Sequence, residues 1–166
     1  MGNNENVMNV AEEVVSLLKE KNYFVTTVES CTGGLVASAI VDVSGASSVF
    51  EKGYVTYSDS AKAQMVGVDG NIINKYGVVS VEVAEQMAVC GKRVAHTECS
   101  IATTGVAGPT GGTDEVPVGS VCIAVAVNEA VNVKRYVFDG DRTDVRKQAV
   151  EMALIMLKDG LINERI

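Results

Sequence analysis

Apolar residues recur at helical spacing near the start of the chain. Met8, Ala11, Val15 and Leu18 share one face with charges between them, which predicts an amphipathic helix ending near Lys21 and Asn22. The period then shortens. Residues 23–28 form a run suited to a strand, residues 29–34 are a polar, glycine-bearing cluster, and residues 35–41 are an apolar helical segment. That order describes a strand that ends, turns sharply and opens a helix. A second strand is predicted over 48–57, interrupted by Gly53, after which Ser58 or Asp59 caps a helix carrying Lys62, Met65 and Val66. A connector from Gly67 to Gly70 leads to a short helical piece ending at Tyr76. Ser80 caps a longer helix whose apolar stripe is Val83, Ala84, Met87, Ala88, Val94 and Ala95. Residues 99–104 make a third strand, and 116–128 with 131–138 make a hairpin about Glu129 and Ala130. A helix over 141–158 closes the chain, with Val145, Ala149, Met152, Ala153 and Met156 facing inward.

Helices alternate with strands early, and the hairpin comes late. The class this predicts is α/β: a three-layer α/β/α domain around a mostly parallel mixed sheet of about five strands, one of them antiparallel. No repeat, linker or low-complexity tract interrupts the 166 residues, so residues 1–166 read as a single domain.

Composition narrows the function. A formal charge of −7 speaks against a nucleic-acid partner, because neutralising phosphates needs clustered Lys and Arg. The four cysteines, Cys31, Cys90, Cys99 and Cys122, form no C-x-x-C pair and read as reduced, buried thiols. With one histidine, His96, no metal site is expected. The polar start, Met1 to Asn6, lacks a signal-peptide core, and no apolar run approaches membrane-spanning length. A soluble, cytoplasmic protein without a membrane partner is expected.

In an open α/β sheet, ligands gather where strand ends feed loops. Three such places stand out. The turn at 29–34 offers two hydroxyls (Ser30, Thr32), a thiol (Cys31) and the backbone N–H groups of a helix start beside Gly33 and Gly34. The same residues also suit a plain helix cap with glycines for clearance. The loop at 104–112, with Thr104, Gly105 and Gly108, is neither a P-loop nor a dinucleotide fingerprint; it signals close backbone approach to a ligand or merely a long turn. The segment 57–62 carries Lys62 near a helix start, where the dipole disfavours a cation. A buried lysine there would have a lowered pKa and could act as a general base, whereas a solvated one would do nothing. Arg142 and Arg146 repeat the oddity at the last helix. Either an anion bound at that helix start reconciles them with the dipole, or Asp139, Asp141 and Asp144 satisfy them.

Taken together, Glu29-Ser30-Cys31-Thr32-Gly33-Gly34, Gly53 to Ser58 with Lys62 four residues on, and Thr104 to Pro109 with Pro117-Val118-Gly119 resemble the C-terminal domain of the competence-damage-inducible protein CinA. The resemblance runs from about residue 11 to residue 157. It implies the activity of the family's stand-alone members, nicotinamide-nucleotide amidases: hydrolysis of the carboxamide of nicotinamide mononucleotide to nicotinate mononucleotide and ammonia. It implies no cofactor and no metal. Matched residue by residue, the nucleophile falls on Ser30 and the base on Lys62, with Tyr57 in support.

That chemistry suits the residues, since a serine hydroxyl needs a base and a desolvated lysine can be one at neutral pH. The substrate would be held by Thr32, Gly33 and Gly34, whose N–H groups would take the oxyanion, and by Thr104, Gly105, Gly108, Arg142 and Arg146. Two other readings stay open. Cys31 could be the nucleophile, as a thiol at a helix N-terminus. Alternatively the chain is a non-catalytic, nucleotide- or partner-binding CinA-like domain. The resemblance and an exposed strand edge also lead us to expect a homo-oligomer.

Overall fold

The computed structural model describes residues 2–163. Its layering is clearest at strand β4 (Ser120–Val127), which is buried along its whole length. Val121, Ile123, Val125 and Val127 enter one apolar core, while Cys122, Ala124 and Ala126 enter another. This is the two-residue period of a strand covered on both faces, with large side chains on one side and small ones on the other.

The larger-residue core is closed by α1 (Gly2–Lys21), α2 (Leu35–Val41) and α6 (Arg142–Ile162). Val14, Leu18, Ile40, Leu154 and Leu157 supply most of its bulk. The smaller-residue core lies under α5 (Val81–Ala95), which brings Val83, Ala84, Met87 and Ala88. There the backbone approaches closely: a Cβ on Gly91 would stand 2.3 Å from Val28 Cγ2. Only glycine fits where α5 crosses the strand beneath it.

The sheet contains β1 (Val25–Glu29), β2 (Phe50–Val55), β3 (Cys99–Gly105), β4 and β5 (Ala130–Val137) in the order β2-β1-β3-β4-β5. β1 pairs in parallel with both β2 and β3, whereas the β3–β4 and β4–β5 pairs are antiparallel. One strand, β4, therefore opposes the other four, as the hairpin predicted. The chain leaves β1 by α2 on one face to reach β2, then returns by α5 on the other face to reach β3. That reversal makes the carboxyl end of β1 a topological switch point, where such sheets bind ligands.

Several boundaries differ from expectation. α1 starts at Gly2 although Gly2, Asn3 and Asn4 are weak helix formers, and Glu5 suits the first turn. β4 begins at Ser120, not 116, since Gly119 takes a left-handed φ of 93° and Pro117 has no N–H to donate. In α5, Val94 is exposed, and the buried stripe runs through Cys90 and Gly91 instead. Met152 is only partly buried, and α6 continues to Ile162. Among the described residues no helix is long and apolar enough to cross a membrane.

Candidate active site

Ser30 directly follows β1, at the switch point, and its N–H donates to Thr103 O at 2.9 Å. The turn that presents it needs two successive left-handed residues, Gly33 at φ 60° and Gly34 at φ 96°. Glu29 anchors the start of α2. Its carboxylate is buried and accepts from Gly34 N at 2.9 Å, Val36 N at 3.0 Å, Ala37 N at 2.8 Å and Thr32 Oγ1 at 2.6 Å. A side chain from the end of β1 thus caps this helix, satisfying donors that have no intrahelical partner. Thr32 Oγ1 also lies 2.7 Å from Thr103 Oγ1, tying the turn to β3.

Ser58 Oγ accepts from Ala61 N and caps α3 (Asp59–Ala61), one of the two caps expected. A π-helical turn, Lys62–Val66, continues it. Such turns occur frequently at functional sites. Here the turn starts at Lys62, whose side chain is only 1% exposed. Its Nζ donates to Ser30 Oγ at 3.2 Å and to Thr56 O at 3.0 Å. Burial pushes the Lys62 pKa below its ordinary 10.5, with Asp59 and Cys31 opposing the shift. The sequence leaves open whether this lysine is solvated; it is not.

A cavity of about 210 Å³ opens in front of this pair. Ser30, Cys31, Lys62, Thr104 and Gly105 are among its walls, and Tyr57, Asp59 and Arg142 line it too. Arg142 donates to Gly108 O at 2.9 Å and to Tyr57 OH at 3.0 Å. Tyr57 is 62% exposed, and its hydroxyl accepts from Arg142 rather than bonding to Ser30 or Lys62. Thr104 Oγ1 donates to Val78 O at 2.8 Å, so its hydroxyl proton is not offered to the cavity. Val78, Val79 and Ala107 also line it, and no residue-type signal in the sequence singled them out.

Thr32, Gly33, Gly34, Gly108 and Arg146, expected at the substrate, are not among the cavity walls. Gly33 N–H donates to Ser30 O and Gly34 N–H to Glu29, so neither is free for an oxyanion. Among the described residues, the Thr32 N–H meets no acceptor, and the Cys31 N–H is directed at its own thiol. Arg146 reaches from α6 to the turn itself, Nε donating to Cys31 O at 3.1 Å and Nη2 to Thr32 O at 2.8 Å. The start of α6 is already capped by Asp141, which accepts from Thr143 N and Asp144 N. Neither arginine is therefore explained by an open helix start, and neither pairs with Asp139, Asp141 or Asp144. Burial also pushes the Cys31 thiol up to about 12, which removes the activation expected of a thiol beside a helix N-terminus.

Among the described residues, no three His, Cys, Asp or Glu side chains are grouped to hold a metal ion. The cavity offers instead a hydroxyl, an amine within hydrogen-bond reach of it and a guanidinium, and the Thr32 N–H lies in the turn next to that hydroxyl. That set suits attack on a carbonyl.

Comparison with known proteins shows the family. The model of the CinA C-terminal domain matches residues 7–161. Nicotinamide-nucleotide amidohydrolase PncC of Escherichia coli (strain K12) is 44% identical over 149 residues, covering 89% of this chain and 90% of that protein. The CinA-like protein of Fervidobacterium nodosum is 44% identical over 149 residues, which are 90% of this chain but 36% of that longer one. The crystal structure of a CinA superfamily protein from Klebsiella pneumoniae superposes with a TM-score of 0.91 at 30% identity, covering 95% of this chain and 98% of that one.

Proposed function

The chain belongs to the CinA C-terminal domain family, and from that premise we propose that it hydrolyses the carboxamide of nicotinamide mononucleotide to nicotinate mononucleotide and ammonia. The observation that carries the reading is the buried Lys62 amine 3.2 Å from Ser30 Oγ at the wall of a cavity. A lysine held out of water loses its proton more readily, and its neutral amine can then accept the serine proton. The relative PncC, whose name states this activity, supports the choice of substrate.

Ser30 Oγ attacks the carboxamide carbon while its proton passes to Lys62 Nζ. The carbonyl oxygen, now negative, is held by the N–H groups of Cys31 and Thr32. When the C–N bond breaks, Lys62 returns the proton to the leaving nitrogen, and ammonia departs. An ester to Ser30 remains. A water molecule then gives a proton to Lys62 and attacks the ester carbon; the acid is released and Ser30 recovers its proton. Neither half needs a metal.

The cavity, at about 210 Å³, is smaller than the roughly 300 Å³ at which sites for drug-sized ligands begin. It suits the pyridine carboxamide, with ribose and phosphate extending past Tyr57 and Arg142. The test is direct: incubate the protein with nicotinamide mononucleotide and measure ammonia. Release by the wild type and none by Ser30→Ala is expected. No release by the wild type would sink the proposal.

A further inference from the structure

Arg146 has no place in the catalytic cavity, yet it contacts the turn that carries Ser30. It borders a separate groove of about 440 Å³ between α1, α2 and α6, whose lining includes Met8, Leu35 and Val150. From that side its guanidinium donates to two successive carbonyls, those of Cys31 and Thr32. Gly33 permits the approach, because even a Cβ there would meet Nη2 at 3.3 Å. Among the described residues no carboxylate pairs with Arg146, so its charge acts on the turn.

Each carbonyl it touches belongs to a peptide whose N–H faces elsewhere. Cys31 O shares a peptide with Thr32 N–H, which meets no acceptor among the described residues. Thr32 O shares a peptide with Gly33 N–H, which donates to Ser30 O at 3.1 Å. Ser30 O in turn shares a peptide with Cys31 N–H, which has only its own weakly accepting thiol as a partner. Two hydrogen-bond paths therefore start at one guanidinium and end at the two N–H groups beside the nucleophile. A charged donor at the head of such a chain polarises each peptide along it and strengthens the last N–H as a donor.

We propose that Arg146 is a positioning residue for catalysis, strengthening the oxyanion-binding N–H groups of Cys31 and Thr32 through the peptides of the turn. The inference rests on the reading of Ser30 as nucleophile. Lysine is no substitute, since a single ammonium lacks the planar fork that spans two carbonyls.

The test uses two reporters. One is turnover of nicotinamide mononucleotide and of its dephosphorylated riboside. The other needs no substrate: the rate at which a fluorophosphonate labels Ser30, where the Oγ–P bond forms, fluoride leaves and the serine proton passes to Lys62. Deleting a direct oxyanion donor costs about 10²–10³ in kcat, so Arg146→Ala, acting through peptides, should cost roughly 10–100-fold. Labelling should slow by a similar factor, KM should change little, and both substrates should lose alike. Guanidinium ion, admitted through the groove, should restore both rates, and Arg146→Lys should recover only part. Should Arg146→Ala not fold, Arg146→Lys carries the same comparison. Normal labelling in the variants, no rescue, or a KM rise confined to the phosphorylated substrate would overturn the relay alone. A wild type unlabelled at Ser30 would instead overturn the nucleophile, and the relay with it.

Discussion

Lys62 and Ser30 come from different connections, the turn after β1 and the one after β2, yet their Nζ and Oγ atoms meet at 3.2 Å. Parallel pairing of β1 with β2 causes this, because it delivers both strand ends to the same edge. This pairing bears on the pH dependence. With the Lys62 pKa held below 10.5 by burial, the neutral amine should appear at a lower pH than in free lysine. We expect kcat/KM to fall as pH drops through that lowered value and to level off above it. A profile without an acid limb would contradict a lysine base.

Stability should carry the same signature. Between the lowered folded value and 10.5, the unfolded chain holds the Lys62 proton and the folded one does not, so raising pH favours folding across that window. Wild type should therefore gain Tm relative to Lys62→Met as pH rises, until 10.5 is passed. Paired thermal melts of the two proteins at several pH values would read the difference.

Ser30→Ala should lower amidase turnover by several orders of magnitude. Cys31→Ala and Cys31→Ser should keep a substantial part of it, because a thiol pushed up to about 12 supplies almost no thiolate at neutral pH. An active Ser30→Ala beside a dead Cys31→Ser would reverse the assignment.

Arg142→Ala should raise KM for nicotinamide mononucleotide far more than for the riboside. A charge-assisted contact contributes about 1.5–3 kcal/mol, or roughly tenfold to more than a hundredfold in affinity. The contrast with Arg146 is the informative part, since there kcat should fall for both substrates. Steady-state kinetics on the two substrates separates the roles.

Glu29→Gln should destabilise the protein by about 1–3 kcal/mol, the cost of leaving a buried polar group without a partner. Oε2 accepts three donors and Oε1 one, so the amide oxygen would keep the first set and the NH₂ would face Ala37 N–H. Urea unfolding of both proteins checks it, and an unchanged midpoint would show that the carboxylate is dispensable.

Chelators should leave the amidase activity intact. Loss of turnover in EDTA, restored by added zinc or magnesium, would contradict a mechanism carried by Ser30 and Lys62.

Much of this can be read from the chain because it is written locally. The polar turn at Ser30, the caps Ser58 and Ser80 and the apolar stripe of α5 each come from spacing within one segment. What cannot be read depends on three-dimensional neighbours. Glu29 is visible as an acid before Ser30, but its target, the start of α2, is set by the left-handed pair Gly33 and Gly34. Arg142 and Arg146 look equivalent at i, i+4 on one helix. Four residues of rise, about 6 Å, carry the second past the cavity to the Ser30 turn. The start of β4 lies later than the β-rich composition from Val116 suggests, because that composition conceals the conformation of Gly119.

The carboxylates at the starts of α2 and α6 have a consequence for how this site can change over evolutionary time. Glu29 and Asp141 each occupy backbone donors that in many nucleotide-binding folds receive the ligand's phosphate. The scaffold here keeps those donors for itself. On the proposed function, recognition of an anion would then fall to replaceable side chains at the cavity mouth, chiefly Arg142. Substitutions there could redirect the domain towards uncharged or differently charged amides while the turn that holds Ser30 stays as it is.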